Sequence, residues 1–233
     1  METFDPRPPL RELLSQELGD QEVRALEAGC GSFDHLEIPP GWFLSGVDIS
    51  PEALARNPRI DERIVGDLQT IALDSRFDVV FCWDVLEHVG DPEAVLRNLA
   101  RALVPGGLLV IGVPVRSSFK GWVTRLTPHW FHVAYYRHVM KWENAGQPGE
   151  RPFPTPMRKA MEPDKLKGLL AELDVTEIWG TKYAAAFYGD ILKKYGLVSL
   201  LARIGARLVS FCSLGRVDRR CSDYVGVLQR GSK

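Results

Sequence analysis

Four short apolar runs in the first half of the chain each stop at a glycine or an acidic residue, and segments of helical spacing separate them. Residues 23–28 run into Gly29-Cys30-Gly31, residues 42–47 into Asp48, residues 63–65 into Gly66-Asp67, and residues 77–83 (FDVVFCW) into Asp84. Ser50 is placed to cap a short helix that has Pro51 at its first position. Asp91-Pro92 opens another helix, with Val95, Leu96, Leu99 and Leu103 at apolar positions. Pro105-Gly106-Gly107 is predicted as a turn before a fifth strand over 108–113, and Leu10, Leu13, Leu14 and Leu18 predict a helix ahead of the first strand. Strands alternating with helices call for a parallel sheet covered on both faces. Ligands of such sheets bind outside the carboxyl ends of the strands. The residues of interest are therefore 29–33, Asp48, Asp67 and the stretch from Trp83 to His88.

After residue 113 the alternation breaks. Residues 114–160 form a basic, aromatic stretch, HWFHVAYYRHVMKW followed by GQPGERPFPTP. That is too long for a plain connection, and such segments are usually lids or binding elements. Its prolines argue against a packed core element. Order resumes with a helix over 163–173 and a strand over 175–179, then a second, helical insertion over 183–220 and a last strand over 223–228. The chain of 233 residues is read as a single domain, 1–233, carrying a lid or acceptor insertion at 114–160 and a helical insertion at 183–220. The expected fold class is α/β, a doubly wound, mostly parallel sheet of seven strands.

Charge is segregated along the chain although the formal net charge is only −1. Residues 1–100 hold 20 Asp/Glu against 8 Lys/Arg, residues 115–160 hold 2 against 8, and residues 190–233 hold 3 against 9. The two basic segments could meet an anionic substrate or surface. No global charge points to nucleic acid. The cysteines Cys30, Cys82, Cys212 and Cys221 are scattered without a CxxC pair, which predicts a reducing, cytoplasmic setting and no zinc site. The N-terminus, METFDPRPPLRELL, does not read as a signal peptide. Residues 196–214 are apolar but broken by Arg203 and Arg207. Ser199, Arg203, Arg207 and Ser210 share one face of that helix. It reads first as packing on its own domain or on a second subunit, ahead of peripheral contact with a membrane.

Glu27-Ala28-Gly29-Cys30-Gly31 joins a strand to the next element, and Asp48 follows Gly31 by 17 residues. Glycines let the backbone turn tightly and approach a ligand. Asp48 can accept from both hydroxyls of a ribose, so the turn reads as a nucleoside-cofactor site. A dinucleotide site would carry G-x-G-x-x-G, but Asp34 stands at the third glycine position. Glu27 would repel a pyrophosphate and suits a cofactor with an ammonium group. On these residues the chain resembles the class I S-adenosylmethionine-dependent methyltransferases. LEAGCGS resembles the family's E-x-G-x-G turn, with Phe33 where a further glycine is usual. GVDIS, Gly66-Asp67-Leu68, FDVVFCWDVLEHVGDP and LVPGGLLVIGVP follow in the family's order. The resemblance implies a Rossmann-like methyltransferase fold with S-adenosylmethionine as cofactor. It further implies that Gly29 and Gly31 flank the methionine part, Glu27 faces its ammonium, and Asp48 takes the ribose. Ile49 lies beside the adenine, Asp67 accepts from its amino group, Leu68 donates to a ring nitrogen, and the Trp83 carbonyl holds the amino-acid portion.

The acceptor side is less legible. No [DNS]-P-P-[YF] sequence or Pro-Cys nucleophile is present where DNA-modifying relatives carry one. The expectation is O-methylation of a small-molecule, natural-product or glycan-like acceptor, which requires a base to take a proton. His129 and His132, interleaved with aromatics in the insertion, are the first candidates. His88, in LEHV, is another, with a structural or cofactor-side role as its plainer reading; His35 reads as a surface residue. No metal site is expected. Two rival readings are a non-catalytic protein on the same fold and a nicotinamide oxidoreductase, the latter disfavoured by Glu27 and the missing glycine.

Overall fold

The computed structural model describes residues 4–19, 21–31, 38–147, 152–184 and 196–232, without the side chains of 196–203. One sheet contains β1 (Arg24–Ala28), β2 (Phe43–Asp48), β3 (Glu62–Val65), β4 (Phe77–Trp83), β5 (Leu103–Pro114), β6 (Val175–Tyr183) and β7 (Asp223–Arg230), in the order β3-β2-β1-β4-β5-β7-β6. The pairs among β1 to β5 are parallel, and β7 runs antiparallel between β5 and β6. This is the doubly wound, mostly parallel seven-stranded sheet that the alternation of elements predicted.

Neighbouring residues of the central strands feed opposite faces, as the strand period of two demands. Ala25, Val79, Leu108 and Val110 pack with Leu10, Leu14 and Leu18 of α1 (Arg7–Leu18) and Leu54 of α2 (Pro51–Arg56). Leu26, Val80, Leu109 and Ile111 pack with Val95, Leu96 and Leu99 of α3 (Pro92–Ala102). The helix α6 (Pro163–Glu172) joins them on that second face through Leu166 and Leu170. Both faces are therefore dry, and β1 and β4 read as nearly continuous apolar runs. The caps follow the sequence: Ser50 Oγ accepts from Ala53 N and Asp91 Oδ1 from Ala94 N.

The turn expected at 105–107 lies inside β5. Leu103 pairs with Phe77 and Leu108 with Val79, so residues 104–107 bulge from a longer strand. The strand starts early because the Leu103 carbonyl is claimed at once by Ser75 Oγ and the Arg230 guanidinium. Likewise β6 runs four residues past the expected 179, because β7 offers it partners as far as Asp223.

The insertion at 114–160 is more ordered than its prolines suggest. It contains α4 (Phe119–Leu126) and α5 (His129–His138), and its end is core: Met157 and Met161 are fully buried, the latter in a 3-10 turn. Within the second insertion lies α7 (Gly196–Cys212), which packs beside α4. Ser32, Phe33, Asp34, His35 and the side chains of Ser199 and Arg203 lie outside what is described.

The packing of β4 on β5 is tight enough to test. A Cβ added to Gly112 would fall 2.4–2.8 Å from the Trp83 indole. Gly112→Ala is expected to cost about 1–3 kcal/mol through overpacking, seen as a lower urea midpoint and altered Trp fluorescence. An unchanged midpoint would disprove this register.

Candidate active site

Gly29 and Gly31 both adopt left-handed backbone, at φ 68° and 52°, which glycine alone adopts without strain. A Cβ on Gly29 would lie 2.5 Å from Val85 Cγ2, whereas the corresponding point on Gly31 faces open space. Gly31 thus leaves a gap beside the turn. Gly29 N donates to Val47 O at 2.7 Å, clamping the turn to the end of β2. Glu27, 5% exposed, sits directly below. Burial and the charges of Glu27 and Asp48 push the Cys30 thiol up to about 12, so it is an inert packing group.

Asp48 has a second duty that its sequence position does not disclose. Its Oδ2 accepts from Gly31 N and its Oδ1 from Ser50 N, both at 2.9 Å. The carboxylate staples the glycine turn to the start of α2 while keeping lone pairs for further donors. Ile49 next to it is 72% exposed, an apolar surface at the strand edge. After β3, Asp67 accepts from Gln69 N at 2.9 Å and from Gln69 Nε2 at 3.1 Å. Gln69 Oε1 in turn accepts from Asp91 N, and the Leu68 carbonyl accepts from Asn98 Nδ2. The loop is thereby fixed against α3, and an adenine amino group would share the Asp67 carboxylate with Gln69. Parallel pairing brings these strand ends to one edge, with acids at the ends of β2 and β3 and Glu27 below the turn. The gap at Gly31, the apolar surface of Ile49 and this acid set fit a nucleoside carrying a cationic group. They do not fit a pyrophosphate.

A second group of polar residues gathers at the same edge, over β4, β5, β7 and β6. Trp83 packs its indole over Gly112. Asp84 follows at φ 53°, a strained value for a residue with a side chain. Glu87 is 5% exposed, and its Oε2 has no hydrogen-bond partner among the described residues. Burial, then the charge of Asp84, hold its carboxyl well above the ordinary carboxylate range. Lys120, at the start of α4, reaches Asp223 at 2.7 Å, and Asp223 also accepts from Ser222 Oγ. Burial and the nearby Asp223 and Asp84 push the Tyr183 phenol upward, and Phe4 packs edge-on against its ring. Trp83, Asp84 and Glu87 of this group fall in the motif over residues 77–92. Asp84 closes a strand, but Lys120, Tyr183 and Asp223 come from three distant segments, and nothing local marks them.

The candidate histidines separate. His88 stands at this edge: its Nδ1 lies 2.8 Å from Pro154 O and its ring meets Phe153 edge-on. A carbonyl only accepts, so Nδ1 carries a proton, and Nε2 lies 3.8 Å from Glu87 Oε1. Met157 N donates to Glu87 O and Arg116 Nε to Met157 O, so the end of the 114–160 insertion straps across the loop after β4. His132 is held within its own segment, Nε2 lying 2.6 Å from Thr127 Oγ1. Burial and His129 lower its pKa. His129 is exposed at the start of α5, a helix that buries none of its residues. The described contacts therefore bring His88 to the strand ends and do not bring His129 or His132 there.

Two outcomes follow from these contacts. Asp48→Ala is expected to lower both cofactor-product affinity and fold stability, because each lost charged hydrogen bond is worth about 1.5–3 kcal/mol. Calorimetry and urea unfolding read the two losses separately. Burial, then the charge of Asp84, raise the Glu87 carboxyl in the folded state above its value in the unfolded chain. It therefore contributes stability at low pH that is lost as pH rises through its raised folded value. Glu87→Gln should flatten that decline in a series of melting temperatures; an unaltered slope would mean Glu87 is ionised.

A family model described as a methyltransferase domain matches residues 4–150. The thiol S-methyltransferase of Rattus norvegicus is 33% identical over 151 residues, 56% of this chain and 62% of that protein. A ubiquinone biosynthesis O-methyltransferase of Idiomarina loihiensis is 29% identical over 134 residues, 53% of this chain and 52% of that protein. The chain thus spans between half and two thirds of the length of these relatives. Among solved structures, a methyltransferase of Methanosarcina mazei superposes with TM-score 0.58 at 17% identity, covering 99% of this chain and 100% of that one. One from Mesorhizobium loti gives 0.56 at 16%, covering 97% of each. At such identities these two speak for the fold. The chain belongs to the methyltransferase-domain family, the S-adenosylmethionine-dependent group that its glycine turn and strand-end acids resemble.

Proposed function

We propose that the protein transfers a methyl group from S-adenosylmethionine to an oxygen of a small-molecule, natural-product or glycan-like acceptor. The observation that carries this reading is the meeting, at one sheet edge, of the strand-end acids with the buried Glu87 and Asp223 and the part-buried Lys120 and Tyr183, beside His88. The cofactor supplies a sulfonium-bound methyl carbon open to in-line displacement. Glu27 would face its ammonium, Asp48 its ribose, and Asp67, Leu68 and Ile49 its adenine. With the cofactor bound, an acceptor oxygen would take the methyl carbon as the sulfide leaves, and the hydroxyl proton would need a base. His88 Nε2 is the base best placed to take it, its ring held by Pro154 O. Lys120 offers positive charge to an acidic or polar acceptor. The strap at 152–157, across the loop after β4, helps exclude water, and positioning of this kind supplies most of the rate. All four cysteines are free thiols, in keeping with a reducing compartment.

The test is release of S-adenosylhomocysteine with a panel of phenols, sugar hydroxyls, thiols and amines. Turnover is expected with hydroxyl acceptors; turnover confined to thiols or amines would overturn the oxygen assignment. His88→Asn keeps a donor for Pro154 O but no base. It should lower turnover about 10²–10⁴-fold with product affinity unchanged. His129→Ala and His132→Ala should leave the rate near that of the parent. The opposite pattern would place the base on α5.

A further inference from the structure

We infer that the helices α4, α5 and α7 form a docking face for an anionic lipid bilayer, which the protein meets at its surface without crossing. Ile204, Leu208 and Phe211 recur at the spacing by which a helix usually buries one stripe in its core. Here the stripe is solvent-exposed: Leu208 is 59% exposed, Phe211 82%, and Leu214 just beyond the helix 88%. The neighbouring helices continue the pattern, with Leu126 at 63% and Trp130 at 69%. These elements adjoin one another. The helix α7 packs beside α4, Phe119 N donates to Asp218 O, and Asp218 N donates to Ser117 O. Only Thr127 and Pro128 separate α4 from α5.

Charge identifies the occupant. Residues 115–142 and 196–217 contain no aspartate or glutamate, in a chain whose first hundred residues carry 20. Arg207, Arg216 and Arg219 are exposed beside the apolar stripe. Exposed apolar side chains set among arginines, with a tryptophan at the rim, suit a helix surface seated among anionic headgroups. A second copy presenting the same face would set arginine against arginine. A nucleic acid would leave Phe211 and Leu214 in water. No helix among the described residues is long and apolar enough to cross a membrane, so the contact is with the surface. The inference stands whatever the acceptor is.

The experiment is co-sedimentation of the full chain with phosphatidylcholine vesicles, with and without phosphatidylglycerol. Binding is expected only when phosphatidylglycerol is present, and should weaken as salt rises. The double variant Leu208→Ser, Phe211→Ser should bind at least about tenfold more weakly. Arg207→Gln or Arg216→Gln should each cost about fivefold. Melting temperature and S-adenosylhomocysteine affinity should stay those of the parent in all three. Three results would overturn the inference. One is no retention on phosphatidylglycerol vesicles. Another is a double variant that binds like the parent, since contact would then be with charge alone. The third is a parent that is dimeric by ultracentrifugation and made monomeric by the double variant, since the face would then be a self-interface.

Discussion

Parallel pairing of β1 with both β2 and β4 is the constraint from which the site follows. In a parallel array every strand ends on the same edge, so residues far apart in the chain are delivered to one line. Crossover helices then have to cover both faces, which is why Ala25 and Leu26, or Val79 and Val80, point into different cores. The edge itself is polar. Asp48 turns that edge into a site by holding the Gly31 and Ser50 amides together.

The two halves of the edge differ in electrostatic character. At the ends of β2 and β3, Asp48 and Asp67 are part-buried and meet backbone amides, so they keep lone pairs for hydroxyl and amino donors. Over β4 to β7 the charges are buried and depend on one another. Removing a charge from water costs several kcal/mol unless a partner compensates. Lys120 compensates Asp223 directly, while Glu87 Oε2 has no hydrogen-bond partner among the described residues and burial holds its carboxyl well above the ordinary range. A buried polar atom left without a partner in a dry pocket is a place where a ligand atom is energetically welcome.

The segregation of charge along the chain maps onto the architecture. The acid-rich first hundred residues build α1 to α3 and the cofactor edge, whereas the acid-free stretches build α4, α5 and α7. Among the described residues, the helix expected over 196–214 packs beside α4, while its Leu208 and Phe211 are exposed.

Much of the cofactor half was legible in the residues themselves. Glycines at 29 and 31, acids at 48 and 67, and apolar runs of strand length are local signals, because turns and strands are stabilised by neighbours in sequence. Ser50-Pro51 and Asp91-Pro92 marked helix starts for the same reason. The acceptor half was not legible, because its members meet only through sheet order. Tyr183 and Asp223 face each other across β6 and β7, and Lys120 reaches Asp223 from α4. Sequence spacing could not choose among the histidines. His88 was selected by the carbonyl of Pro154, 66 residues away, a contact that exists only once the insertion has folded back over β4. The sequence alone determined the sheet, the glycine turn and the acids at the strand ends, since each rests on local patterning. The buried charges around Glu87, the histidine at the edge and the exposed face of α7 were decided by tertiary structure, since burial is a property of what lies opposite a residue.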